Sequence, residues 1–81
     1  MQVRVSFYSW FKDLTGCAET QEEIAPGSTL AQLRADLGRK YPKFAAAQKS
    51  TLMAVGVDYQ DSAYLLKEGD EVSFFPPVQG G

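Results

Sequence analysis

Histidine is missing from this 81-residue chain, and cysteine occurs once, at Cys17. The first absence removes histidine-based triads, Cys–His pairs and His-ligated metal sites. The second removes any intramolecular disulfide, and with it a disulfide-rich secreted scaffold. Cys17 has no imidazole to activate it and reads as a small hydrophobe. Basic charge is also in short supply: eight Lys and Arg stand against ten Asp and Glu, for a net charge of −2. A nucleic-acid or anionic-membrane partner would need a basic stripe to displace counterions or meet headgroups. The basic residues here are scattered, apart from Arg39, Lys40 and Lys43 at the end of an expected helix, where cations suit the dipole. No apolar run approaches membrane-spanning length. The opening "MQVRVSFYSWF" alternates, where a signal peptide would need an apolar block. These exclusions predict a cytoplasmic domain with no metal site, no nucleic-acid partner and no membrane partner.

What is present is a clear order of elements. Residues 2 to 9, "QVRVSFYS", alternate strictly, with Val3, Val5 and Phe7 on one face and Arg4, Ser6 and Tyr8 on the other. That is the pattern of a half-buried strand. "WFKDLT", 10 to 15, reads as a short helical turn ended by Gly16, a residue suited to a left-handed cap. "CAETQEEIA", 17 to 25, is a weaker second strand with Thr20, Glu22 and Ile24 on one parity, and the two strands form an expected hairpin. After Pro26-Gly27, Thr29 can cap a helix and Gln32 can complete a capping box. Leu30, Leu33, Leu37 and Tyr41 then form one apolar stripe, and Pro42 stops it. Residues 43 to 50 are ambiguous, with Phe44 expected in the core. "TLMAVGVD", 51 to 58, reads as a buried strand with Met53, Val55 and Val57 on its larger face. A connection follows, with a helical turn expected around Ala63 to Leu66. Gly69-Asp70 turns into a last strand, "EVSFF", that puts Val72 and Phe74 inward and Glu71, Ser73 and Phe75 outward.

Hairpin, helix and returning strands make an α+β domain. The order resembles the ubiquitin-like β-grasp: a mixed sheet, one main helix packed on one face, and an extended C-terminal tail. That architecture sets the first and last long strands parallel at the sheet centre. The expected division is a domain over 1–75 and a tail over 76–81.

The tail, "PPVQGG", has chemistry of its own. Pro76 and Pro77 cannot donate to a sheet ladder and favour an extended, stiff segment. Val78 and Gln79 offer modest grip. Gly80 and Gly81 have no side chains, so their backbone can thread a channel that any Cβ would block. The α-carboxylate of Gly81, with an ordinary pKa of about 3.3–3.7, is ionised and a poor electrophile until activated. A chain end of this composition also fits an inert tail.

"GDEVSFFPPVQGG", 69 to 81, resembles the C-terminal signature of the small subunit of molybdopterin synthase, the MoaD-type sulfur carrier. The similarity extends to "FKDLTG" at 11 to 16, "STLAQLRADL" at 28 to 37 and "MAVGVDY" at 53 to 59. One departure is Gly56, where the family often has Asn. The resemblance implies that a ubiquitin-activating-like adenylyltransferase uses ATP to adenylate Gly81, which is then converted to a thiocarboxylate. It implies that the tail, Pro76, Pro77, Val78, Gln79 and Gly80 included, enters the large catalytic subunit of a heterotetramer. There the sulfur passes to a cyclic pyranopterin precursor of the molybdenum cofactor. This chain would bind no cofactor itself and would catalyse nothing alone. The alternatives are a ubiquitin-like modifier conjugated through Gly81, a sulfur carrier for another pathway such as thiazole synthesis, and a plain interaction domain.

Alternation also places a partner surface. Tyr8 and Phe75 point outward from strands that this fold makes adjacent, and Tyr59 is expected to join them. Exposed aromatics beside a functional tail suit an interface; the bland alternative is that they cover a half-open sheet. Glu68, Asp70 and Glu71 form an acidic edge that reads as a solvated turn.

Overall fold

In the computed structural model the described residues are 1–47 and 51–76. β1 (Gln2–Phe7) and β2 (Glu19–Glu23) form the expected antiparallel hairpin, with Val5 opposite Thr20. Between them lies α1 (Phe11–Thr15), closed by Gly16 at φ 77°, the left-handed cap its position calls for. α2 (Leu30–Lys40) is followed by α3 (Pro42–Ala46), β3 (Leu52–Val55), β4 (Asp58–Tyr59) and β5 (Glu71–Phe75). The sheet order is β2-β1-β5-β3-β4. β1 and β5 are parallel at its centre, with Val5 beside Val72 and Phe7 beside Phe74. β3 runs antiparallel to β5. This is the α+β, β-grasp arrangement that the element order predicts.

The core lies between the sheet and the helices. Val3, Val5 and Phe7 from β1, Val72 and Phe74 from β5, and Leu30, Leu33 and Leu37 from α2 are all buried in one cluster. Phe44 of α3 is its hub. Its ring meets Phe7 at 5.4 Å, Phe11 at 5.4 Å and Phe74 at 5.5 Å between centroids, all edge-on, the favoured aromatic geometry. β2 itself holds no apolar residue, and Ile24 just after it enters the core, so the inward polar residues of β2 are paired instead. Glu22 accepts from Lys40 of α2 at 2.8 Å and from the Thr20 hydroxyl at 3.0 Å. That carboxylate holds the Lys40 ammonium above its ordinary 10.5.

The capping box forms as read. The Thr29 hydroxyl accepts from Gln32 N at 3.3 Å, and Gln32 Oε1 accepts from Thr29 N at 2.8 Å. The next donors of α2 are used by the connection after β4: Leu30 N donates to Tyr64 O and Ala31 N to Ser62 O, each at 3.0 Å. Holding those carbonyls on the helix end keeps 61–66 irregular, so the expected helical turn at Ala63 to Leu66 does not form. Leu65 makes an isolated bridge to Thr29 instead.

Two other expectations are corrected. Pro42 does stop α2, but it also opens α3 from the first helical position, where its missing N–H costs nothing. The strand expected over 51 to 58 ends at Val55. Gly56 takes φ 62°, and the chain reverses through Gly56-Val57 into β4, with Val55 paired to Asp58. Val57 is therefore 97% exposed rather than in the core. A positive φ at the first turn position suits Gly, and Asn tolerates the left-handed region better than most residues. Gly56 is thus a conservative departure from the family's Asn.

Candidate functional site

The candidate site is the end of the sheet from which β5 leaves. The parallel register fixes what lies there. Tyr8 N donates to Phe74 O at 3.0 Å, so the exit of β1 is stitched beside the last turn of the β5 pleat. Side chains alternate across a strand. Phe74 therefore faces the core, fully buried, while Phe75 lies on the open face, half-buried.

The three aromatics expected to share that face do so. The Phe75 ring meets Tyr8 at 6.1 Å, nearly perpendicular, and Tyr59 at 5.6 Å. Phe75 is the middle member, and the two tyrosines are the exposed flanks, at 52% and 68%. The missed β3–β4 reversal is what delivers Tyr59, because it pairs Tyr59 with Ala54 one strand from β5. Beside the rings is a shallow depression of about 380 Å³ lined by Tyr8, Ala54, Gly56, Ser73 and Phe75. Ala54 and Ser73 form its small-residue floor; sequence reading did not single them out, although their facing follows from the same alternation. Trp10 was also passed over. It follows the last alternating residue of β1 and is half exposed.

Of the expected tail residues, Pro76 is described and half-buried. Pro77, Val78, Gln79, Gly80 and Gly81 lie outside the described residues. Pro76 immediately follows Phe75, the last residue of the central strand and the middle member of the aromatic cluster.

The other candidates resolve into local structure. Glu71 pairs with Arg4 at 3.1 Å, Glu68 accepts from Gln2 N at 3.1 Å, and Asp70 accepts from Lys67 N at 2.8 Å. Each acidic-edge carboxylate thus has a partner at the turn that starts β5, the end of the sheet away from the tail. Cys17 is half-buried, with its Sγ 3.8 Å from both Tyr41 Oη and Thr15 Oγ1. Burial first, then the neighbouring Cys17, push the Tyr41 phenol above its ordinary 10.0. No helix among the described residues is long and apolar enough to cross a membrane.

Residues 5–81 match the ThiS family model. The chain is 33% identical to the molybdopterin synthase sulfur carrier subunit of Escherichia coli (strain K12), over 98% of this chain and 99% of that one. A candidate molybdopterin converting factor, subunit 1, from Pyrococcus furiosus superposes with a TM-score of 0.89 at 27% identity, covering 96% of this chain and 99% of that one. A chain of a complex of subunits 1 and 2 of molybdopterin-converting factor from Helicobacter pylori 26695 matches at a TM-score of 0.76 and 28% identity, with both chains fully covered.

Proposed function

The chain belongs to the ThiS family, and on that premise we propose that it is the sulfur-carrier subunit of a molybdopterin synthase. The observation that carries the reading is what surrounds the end of the central strand. β5 ends at Phe75, which clusters with Tyr8 and Tyr59, and in the sequence Pro76 and then "PVQGG" follow directly. The near-full-length likeness to the E. coli carrier supports the assignment to this pathway.

The chemistry follows from the tip. A Gly81 carboxylate oxygen attacks the α-phosphorus of ATP on a separate adenylyltransferase, and pyrophosphate leaves. The acyl-adenylate carbon is then open to hydrosulfide, which displaces AMP, loses its proton and leaves a thiocarboxylate. In the large subunit that sulfur passes to the pyranopterin precursor, and water restores the carboxylate. The domain's own contribution is to bind and to present. Gly80 and Gly81 keep the end slim, Pro76 and Pro77 stiffen its base, and Tyr8, Tyr59 and Phe75 supply apolar area for the large subunit. The reading sets the protein in the cytoplasm as a non-catalytic member of a transferase complex.

The test is the intact mass of the chain after incubation with a ubiquitin-activating-type enzyme, ATP and a sulfur donor. One oxygen exchanged for one sulfur at the terminus is expected. An unchanged mass, with the same mixture charging a known carrier, refutes the proposal. A heat- and reductant-resistant ladder on denaturing gels would instead identify a protein modifier joined through Gly81.

A further inference from the structure

Trp10 is the only tryptophan in the chain. Its indole is 48% exposed, and one side of it rests edge-on against Phe11, with centroids 4.7 Å apart. Phe11 is itself fully buried. The ring is therefore braced by the core on one side and open on the other.

Its position is set by a forced turn. Tyr8 N is committed to Phe74 O, while Phe11 N and Lys12 N donate back to Tyr8 O and Ser9 O, each at 3.2 Å. The chain passes from β1 to α1 through three residues, Tyr8, Ser9 and Trp10, and Ser9 takes φ 58° to do so. L-residues avoid that region because Cβ crowds the following carbonyl. The turn puts Trp10 two residues past Tyr8, so their Cα atoms are at most about 7 Å apart. Tyr8 in turn touches Phe75, the last strand residue before the tail.

The length of the tail makes this matter. Five residues follow Pro76, and five residues reach at most about 17 Å. A protein that encloses Gly81 in a channel must bring the mouth of that channel to within this distance of Pro76. Its rim then comes down on whatever surrounds the base of the tail. Phe75 is there with Tyr8 against it, and Trp10 follows Tyr8 by two residues in the turn that leaves β1.

We propose that Trp10 belongs to the docking surface, and that the subunit receiving the tail covers the open side of its indole with apolar or aromatic surface. This extends the contact from the open sheet face around the end of the sheet, and it rests on the function proposed above. Tryptophan is among the residues most enriched where truncation weakens an interface strongly.

The full chain is labelled with fluorotryptophan, so that fluorine NMR sees one signal and none from the unlabelled partner. Saturation with the large subunit is expected to shift that signal and cut its response to a soluble paramagnetic quencher. Calorimetry on the same samples reports binding. Binding with an unmoved, equally quenched signal overturns the inference and leaves the functional reading standing. Absence of binding overturns both. A shift produced by raising the concentration of the chain alone assigns the surface to a second copy and overturns the inference. Trp10→Ala is expected to weaken affinity about ten- to a hundredfold, with Trp10→Phe restoring most of it. Equal affinities for all three chains are the second refuting result.

Discussion

Phe74 and Phe75 are neighbours of the same type with opposite surroundings, so truncating each in turn tests the whole assignment of faces. Phe74 is fully buried and its ring stacks on Phe7 at 6.0 Å and meets Phe44 at 5.5 Å. Phe74→Ala removes a core ring and leaves a cavity, which costs about 3–5 kcal/mol. An 81-residue domain holds about 4–12 kcal/mol in all, so this variant is close to unfolding. Phe75→Ala loses two ring contacts on the open face, worth roughly 1 kcal/mol each before solvent takes their place. Its stability should fall by about 1 kcal/mol, while its affinity for the large subunit falls by about 2 kcal/mol, roughly thirtyfold. Urea denaturation measures the first quantity and calorimetry the second. The reasoning fails if Phe75→Ala destabilises as much as Phe74→Ala. It fails equally if Phe75→Ala binds as tightly as the parent chain.

Deleting Gly81 should abolish sulfur transfer while the circular dichroism spectrum and melting temperature stay unchanged; activity in the shortened chain would show that the tip is not the reactive group. Thr29→Ala removes the hydroxyl that accepts from Gln32 N, while the backbone N–H that Gln32 Oε1 accepts from remains, and should cost about 1 kcal/mol, seen as a fall in melting temperature of roughly 4–8 °C. Gly56 has open space where a Cβ would go, so only its φ of 62° penalises substitution. Gly56→Val should therefore destabilise by about 1–2 kcal/mol and Gly56→Asn by far less, and equal losses in denaturant melts would refute this. Tyr41 ionises less readily folded than unfolded, because burial raises its pKa from 10.0. Its contribution is complete below about pH 10 and is lost as pH rises through the higher folded value. Tyr41→Phe should accordingly flatten the alkaline limb of a stability–pH curve, and an identical limb would exclude Tyr41 as its source.

Legibility in the sequence followed the strength of the local pattern. β1, the capping box, the α2 stripe and the inward Val72 and Phe74 were all readable, because in each the periodicity agrees with burial. Tyr8 and Phe75 could be placed outward by alternation alone; that they touch requires the parallel pairing of β1 with β5, which joins residues almost seventy positions apart. Val57 was misplaced because Met53, Val55 and Val57 continue an alternation that the backbone abandons at Gly56. The helical turn at Ala63 to Leu66 failed for a tertiary reason: the carbonyls of Ser62 and Tyr64 are spent on the first donors of α2. Trp10 carried no periodic signal at all, since it sits between a strand and a helix of five residues.

Because β1 and β5 are parallel, the amino-terminal residue and the tail root occupy opposite poles of the sheet. Met1 is fastened at the far pole, its ammonium donating to Ile24 O at 2.9 Å and pairing with Glu23 at 2.9 Å. Six strand residues, about 20 Å, separate it from the working end. An amide made at that nitrogen keeps an N–H for Ile24 and forfeits only an ion pair to Glu23, whose side chain is 70% exposed. The molecule can therefore be grafted to a sensor chip, a dye or a carrier protein through its first residue, leaving the opposite pole free for whatever enzyme comes to charge or unload it.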